Sequence, residues 1–348
     1  MDHNMDVLLK NNNKKASPPP VTITRVAPLR KLYGLTLIAS FVVIVATCVY
    51  TSGRFSGTMT PSEMQLPDHL PASHPEVLQA LRSTFLLPPS KLPYNLSKDP
   101  DYLATSHADT WGIIHYHLSR LFSGERGGFF VEAGALDGQQ LSNSLWLEQE
   151  LGWTGLLVEP DPYSFLHLGH KHRKAWTSNA CLSSDAFTRR SVHVALKPRP
   201  GYRNNYPWFM RGSSHELGVK LATKSAEEVE TLQYYLNRGE ESYMVTYCFP
   251  LHSYLLALNI TKVDLLSLDT QGSEIEIIKS IPWEEVEVRV VVMEVADRTH
   301  YQSDLVEYMR GKGYFLVGRF MDYIFVREGD SAHTRLLSHK DWQLVVHV

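Results

Sequence analysis

Two apolar runs, each closed by a carboxylate and separated by a glycine-bearing turn, constrain this chain more than any other feature. Phe129-Phe130-Val131-Glu132 leads into Ala133-Gly134-Ala135-Leu136-Asp137-Gly138. Leu141, Leu145 and Leu147 then recur in a helix-like segment that reaches about Glu150 and is stopped by Gly152. Thr154-Gly155-Leu156-Leu157-Val158-Glu159 is the second run, closed by Pro160-Asp161-Pro162. Strand, turn, helix and strand in this order place the two strands parallel, joined by a right-handed crossover.

The same alternation continues. A basic helix around Phe165–Arg173 precedes a third strand at Trp176–Leu182. Val263–Leu268 reads as a strand ending in Asp269, followed by Gly272 and a helix over Ser273–Ser280 with Glu274 and Glu276 in its first turn. Val286–Val295 is a further strand, with Glu294 near its end, and Tyr314–Val317 with Tyr323–Val326 form a closing antiparallel pair. Ahead of the first strand, Asp109-Thr110 caps a helix that carries Trp111, Ile114, Leu118 and Leu121 at helical spacing. The expectation is an α/β fold, a mainly parallel sheet with helices on both faces. Ligands of such a sheet lie at the carboxyl ends of its strands, where Glu132, Glu159, Asp269 and Glu294 all fall.

The turn has the spacing Gly134-x-x-x-Gly138 and not the G-x-G-x-x-G that cradles a pyrophosphate. It suits S-adenosylmethionine (SAM), which has no pyrophosphate. Glu132, Gly134, Asp137, Gly138 and Glu159 are the expected cofactor-binding residues. Glu159 accepts from the ribose hydroxyls, and Asp137 meets the amino-acid moiety. Asp269, Gln271 and Glu294 are the expected catalytic residues, facing the methyl acceptor. No metal site is expected: His115 and His117 point to different faces of one helix, and His167, His170 and His172 have no ligand pattern around them. There is no P-loop, H-E-x-x-H or G-x-S-x-G motif, and the sole D-x-D, Asp99-Pro100-Asp101, lies outside the alternating region.

Leu32–Gly53 contains no charged residue, and about 20 such residues of helix cross a bilayer. Lys10, Lys14, Lys15, Arg25, Arg30 and Lys31 precede this run against only Asp2 and Asp6, so the positive-inside bias places the N-terminus in the cytosol. The expected organisation is a disordered cytosolic tail (1–31), a transmembrane signal-anchor helix (32–51), a Pro/Ser/Thr-rich stem (52–100) with a short helix near Glu76–Phe85, and a lumenal domain (101–348). The sequons at Asn95 and Asn259 lie on the lumenal side as glycosylation acceptors. Cys181 and Cys248 form either one disulfide there or two buried thiols. A formal net charge of −3 leaves no footprint for nucleic acid.

Three blocks, Phe130–Gly138, Gly155–Asp161 and Val263-Asp264-Leu265-Leu266-Ser267-Leu268-Asp269-Thr270-Gln271-Gly272-Ser273-Glu274, resemble the FkbM-type family of SAM-dependent methyltransferases over about residues 125–328. The resemblance implies a Rossmann-like fold with a mainly parallel seven-stranded sheet, SAM as cofactor and O-methyl transfer to a glycan or lipid as activity. Ser142-Asn143-Ser144-Leu145-Trp146, Gly152-Trp153-Thr154-Gly155, Arg173-Lys174-Ala175-Trp176, Cys181-Leu182-Ser183 and Cys248-Phe249-Pro250-Leu251 are similar to its invertebrate Star-like branch of type II membrane proteins. That likeness implies a place in the endoplasmic reticulum, Golgi or endosome membrane and a role in moving membrane cargo between them. One departure stands out: the family usually carries D-V-E-G where this chain has Asp269-Thr270-Gln271-Gly272. An amide can hydrogen-bond there but cannot act as a base.

Overall fold

The computed structural model describes residues 65–106, 109–196, 212–219, 241–295, 302–319 and 322–338. The expected tail, membrane span and first part of the stem lie outside these residues. Among the described residues no helix is long and apolar enough to cross a membrane.

From Pro75 the chain forms α1 (Pro75–Ala80), a π-helical turn (Leu81–Phe85), the short strand β1 (Leu86–Leu87), α2 (Pro100–Ser106) and α3 (Asp109–Leu121). The alternating units follow: β2 (Phe129–Ala133), α4 (Leu145–Leu151), β3 (Thr154–Val158), α5 (Pro162–His170) and β4 (Trp176–Ser178). Next come β5 (Cys181–Leu182), β6 (Arg189–Leu196), β7 (His215–Glu216) and β8 (Glu241–Phe249). The chain closes with α6 (Leu251–Leu258), β9 (Lys262–Leu268), α7 (Glu274–Ser280), β10 (Glu287–Glu294), α8 (Ser303–Gly311), β11 (Tyr314–Arg319), β12 (Asp322–Arg327) and α9 (Ser331–Ser338).

The main sheet has eight strands in the order β1-β4-β3-β2-β9-β10-β12-β11. Strands β4, β3, β2, β9 and β10 run parallel; β1 and the β11–β12 pair are antiparallel to their neighbours. Successive residues of a strand point to opposite faces, and the central strands are apolar at nearly every position because helices cover both. Phe129, Val131, Leu156, Leu266 and Val291 serve the core of one face. Phe130, Leu157, Leu265 and Val290 serve that of the other, with Leu118, Leu121 and Phe122 from α3 and its end.

The seven strands expected are eight. The additional one, β1, comes from the segment assigned to the stem, and Leu86 pairs with Ser178 of β4. Leu66, Val77, Ala80, Leu81, Phe85 and Leu86 are all buried in the first core, and Phe85 packs edge-on to Phe249 at 4.8 Å. The folded body therefore includes residues from Leu66 onward, and the expected boundary at residue 101 falls inside it. The Pro- and Ser-rich composition of 88–100 conceals why: these residues form a strap across the end of α5. Ser90 N–H donates to Arg173 O and Asn95 N–H to Lys171 O, while Ser97 and Gln139 exchange hydrogen bonds of 2.7 and 3.0 Å.

The expected third strand, Trp176–Leu182, is two strands in two sheets. Asn179 donates its side-chain amide to Glu159 O at 2.8 Å and Pro160 O at 3.2 Å, which fixes the break between β4 and β5. Strand β5 opens a second sheet of order β5-β8-β6-β7. Cys181 and Cys248 face each other across β5 and β8, 4.4 Å apart at Cα, and are disulfide-bonded. The helix expected to begin near Leu141 begins at Leu145, and Gly152 ends it as expected.

Candidate functional site

The carboxyl ends of β3, β2 and β9 are laced together at Gly134. Gly134 N–H and Ala135 N–H donate to Val158 O, and Asp269 N–H donates to Ala133 O. Gly134 has φ +85° and a Cβ there would lie 1.9 Å from the Asp269 carbonyl oxygen. No side chain fits between β2 and β9. Gly138 (φ +77°) lets the turn rest on Leu168 of α5, 2.8 Å from where its Cβ would be.

Glu159, just past β3, is buried and turned toward this turn. Its Oε2 accepts from Leu136 N–H and its Oε1 from Asp161 N–H, both at 2.8 Å. Asp161 in turn caps α5, accepting from Tyr163 N–H and from Ser164 N–H and Oγ. The acid expected to bind ribose is thus oriented by the two segments that border the expected nucleoside position.

Glu132 and Asp137 are placed differently from expectation. Glu132 accepts from Ser142 Oγ at 2.9 Å, Asn143 N–H at 2.8 Å and Ser144 Oγ, so its carboxylate organises the loop that enters α4. The donors lie ten to twelve residues downstream, where no local pattern announces them. Arg173 extends the network: it pairs with Glu148 at 3.1 Å with both side chains fully buried, and donates to Ser142 Oγ, Ser144 Oγ and Gly138 O. Asp137 is wholly buried. It accepts from Gln139 N–H, Gln140 N–H and Tyr102 Oη, and pairs with Lys171 at 3.0 Å. These two acids build the turn.

The three expected catalytic residues do come together. Gln271, at φ +60°, donates from Nε2 to Asp269 Oδ1 and to Glu294 Oε2, each at 2.6 Å. Beneath them Glu274 accepts from Thr270 N–H at 2.7 Å and Gly272 N–H at 2.9 Å. Glu274 stands in the first turn of α7 as expected, and it also locks the turn that carries Gln271. Burial, reinforced by the charge of Glu294, pushes the Glu274 carboxyl up to about 7. Asp269 keeps an exposed edge, yet the protein packed around it and the neighbouring Glu294 hold its carboxyl well above the usual carboxylate range, with Gln271 working the other way. Ligand oxygens of Asp269, Glu274 and Glu294 lie within 4.8 Å of one another, a donor set suited to a hard cation. Two backbone amides already hold Glu274, and the Gln271 amide bridges the other two.

The sequence model of the methyltransferase FkbM domain matches residues 132–316, from the acid ending β2 into β11 and over more than half of the chain. The chain belongs to the FkbM methyltransferase-domain family. No curated protein and no solved structure matches it. The FkbM family is SAM-dependent, and the strand ends of this FkbM domain fit such a group. Gly134 leaves a backbone-only floor, and Glu159 is held at the nucleoside side of it. Two enclosed polar atoms beside these strand ends, Asn143 Oδ1 and Thr270 Oγ1, have no partner among the described residues. Glu159 would hold the ribose, and the bound group would supply an activated methyl for transfer.

Proposed function

We propose that this FkbM-family protein binds SAM at the ends of β3, β2 and β9 and methylates a hydroxyl of a glycan or lipid. The domain is held in the lumen of the secretory pathway by a type II anchor at residues 32–51. The observation that carries the reading is the convergence, on either side of Gly134, of Glu159 and the Asp269–Gln271–Glu294 cluster. SAM supplies an electrophilic methyl on a sulfonium. The domain's contribution is to orient an acceptor oxygen behind that methyl and to take the hydroxyl proton. A carboxylate whose affinity for a proton is raised, as at Asp269, is a stronger base than an ordinary one. The Cys181–Cys248 bond supports an oxidising compartment, as do exposed sequons at Asn95 and Asn259.

A second reading follows from Gln271. The amide occupies both carboxylates at once, so the cluster is quieted, and the domain serves as a binding surface for membrane cargo in transport between endoplasmic reticulum and Golgi, in the manner of the Star-like branch. Calorimetry of the full chain in detergent separates the two. Micromolar SAM binding that is lost in Glu159→Ala supports the first reading and licenses an acceptor screen with methyl-labelled SAM. A folded protein that binds no SAM overturns it and leaves the second.

A further inference from the structure

The strand order divides a nucleoside-bearing ligand into halves. Glu159 follows β3 and Asp269 follows β9, with β2 and its glycine turn between them. A ligand whose ribose lay on Glu159 with its base turned away from β2 would extend its 5′ substituent over Gly134 toward β9. Asn143 stands at that end. Its backbone N–H is spent on Glu132 at 2.8 Å, and its side-chain Nδ2 lies 3.1 Å from Ser267 Oγ of β9. Its Oδ1 is enclosed and has no partner among the described residues. A serine hydroxyl both donates and accepts, so either orientation of the amide leaves one heteroatom unpaired. Thr270 Oγ1, immediately after Asp269, is enclosed and unpaired as well. Enclosed polar atoms are ordinarily paired; ten among the described residues are not, and Asn143 Oδ1 and Thr270 Oγ1 are two of these that adjoin the end of β9, one through Ser267 and the other in the turn after Asp269.

We infer that Asn143 is a binding residue for the α-amino-acid end of SAM, pairing its unsatisfied amide atom with the ammonium or the carboxylate of that zwitterion. The inference rests on the SAM reading above and adds to it a residue that takes the half of the ligand opposite Glu159. The Asn143 atom is closed to water, so uptake requires a small shift of its side chain or of the Thr270–Gly272 turn, and the new hydrogen bond offsets that shift.

The test compares SAM with 5′-methylthioadenosine, which keeps the adenosine and the sulfur but lacks the amino-acid end. Both are titrated calorimetrically into the full chain in detergent. Asn143→Leu is expected to weaken SAM about ten- to a hundredfold, the worth of one or two hydrogen bonds, while methylthioadenosine binding stays within about twofold. Glu159→Ala weakens both ligands. Asn143→Asp keeps the side-chain shape and must also change the SAM-to-methylthioadenosine affinity ratio, which guards against a defect of folding in the leucine variant. An affinity ratio unchanged in both variants, with wild type binding both ligands, overturns the role of Asn143 and leaves the SAM reading standing. Wild type that binds neither ligand overturns both.

Discussion

At Gln271 the chain keeps the geometry of a carboxyl cluster while removing one charge from it. Its Nε2 donates to Asp269 and Glu294 together, so Gln271→Glu would replace a shared donor with another anion. We expect a loss of about 1–3 kcal/mol at neutral pH, read as a lower melting temperature, with the gap to wild type narrowing as acid protonates the cluster, whose Asp269 carboxyl takes up a proton above the usual carboxylate range. Glu274 gives a separate pH signature. Its carboxyl holds a proton up to about 7 when folded and only to about 4.5 when unfolded. Its stabilising contribution is therefore complete in acid and is lost as pH rises through that interval. In denaturant titrations, the stability of wild type relative to Glu274→Gln should fall between pH 5 and pH 8; a constant difference would refute the assignment. The sequence makes Asp269 and Glu294 visible as strand-end acids. It does not show that Glu132 and Asp137 turn inward, because their partners Ser142, Ser144, Tyr102 and Lys171 come from other segments and carry no spacing of their own.

The turn between β2 and α4 is held by a neighbouring element as much as by its own residues. Arg173, three residues past α5, reaches Gly138 O, Ser142 Oγ, Ser144 Oγ and Glu148. Removing one partner of a buried ion pair leaves the other charge without compensation. Arg173→Met should therefore cost about 3–5 kcal/mol and loosen the turn, detectable as faster amide exchange over residues 134–144. Unchanged exchange would mean that the glycines and Glu132 suffice. At this scale the parallel strands β2, β3, β9 and β10 were legible because each is an apolar run closed by an acid; β4, Trp176-Thr177-Ser178, is not such a run. The second sheet was not. Strand β6 pairs with β8 from Arg189↔Cys248 to Leu196↔Glu241, partners some fifty residues apart whose mixed burial gives no continuous apolar run.

For the molecule as a whole, the chain ahead of α3 belongs to the core. A fragment starting at residue 101 discards Leu66, Val77, Leu81, Phe85 and Leu86 together with strand β1. Each buried side chain of this kind is worth about 1.5–3 kcal/mol, and their sum is comparable to a typical domain's entire stability margin. Residues 65–348 should yield a soluble protein with a cooperative melt, and 101–348 should not. The Pro-rich stretch misleads because composition reports what a segment lacks, while the strap over α5 is held by backbone groups that every sequence possesses.

The bond between Cys181 and Cys248 spans 67 positions of chain, and β6, β7 and most of β8 lie inside that interval. Topologically the interval is a closed ring pendant from the main sheet. A peptide bond cut anywhere within it produces no free piece: the amino- and carboxyl-terminal parts stay joined through sulfur. Limited proteolysis there should leave a species of unchanged size on a non-reducing gel that parts into two on reduction. Processing within the ring could thus reshape this lobe without releasing either half of the domain.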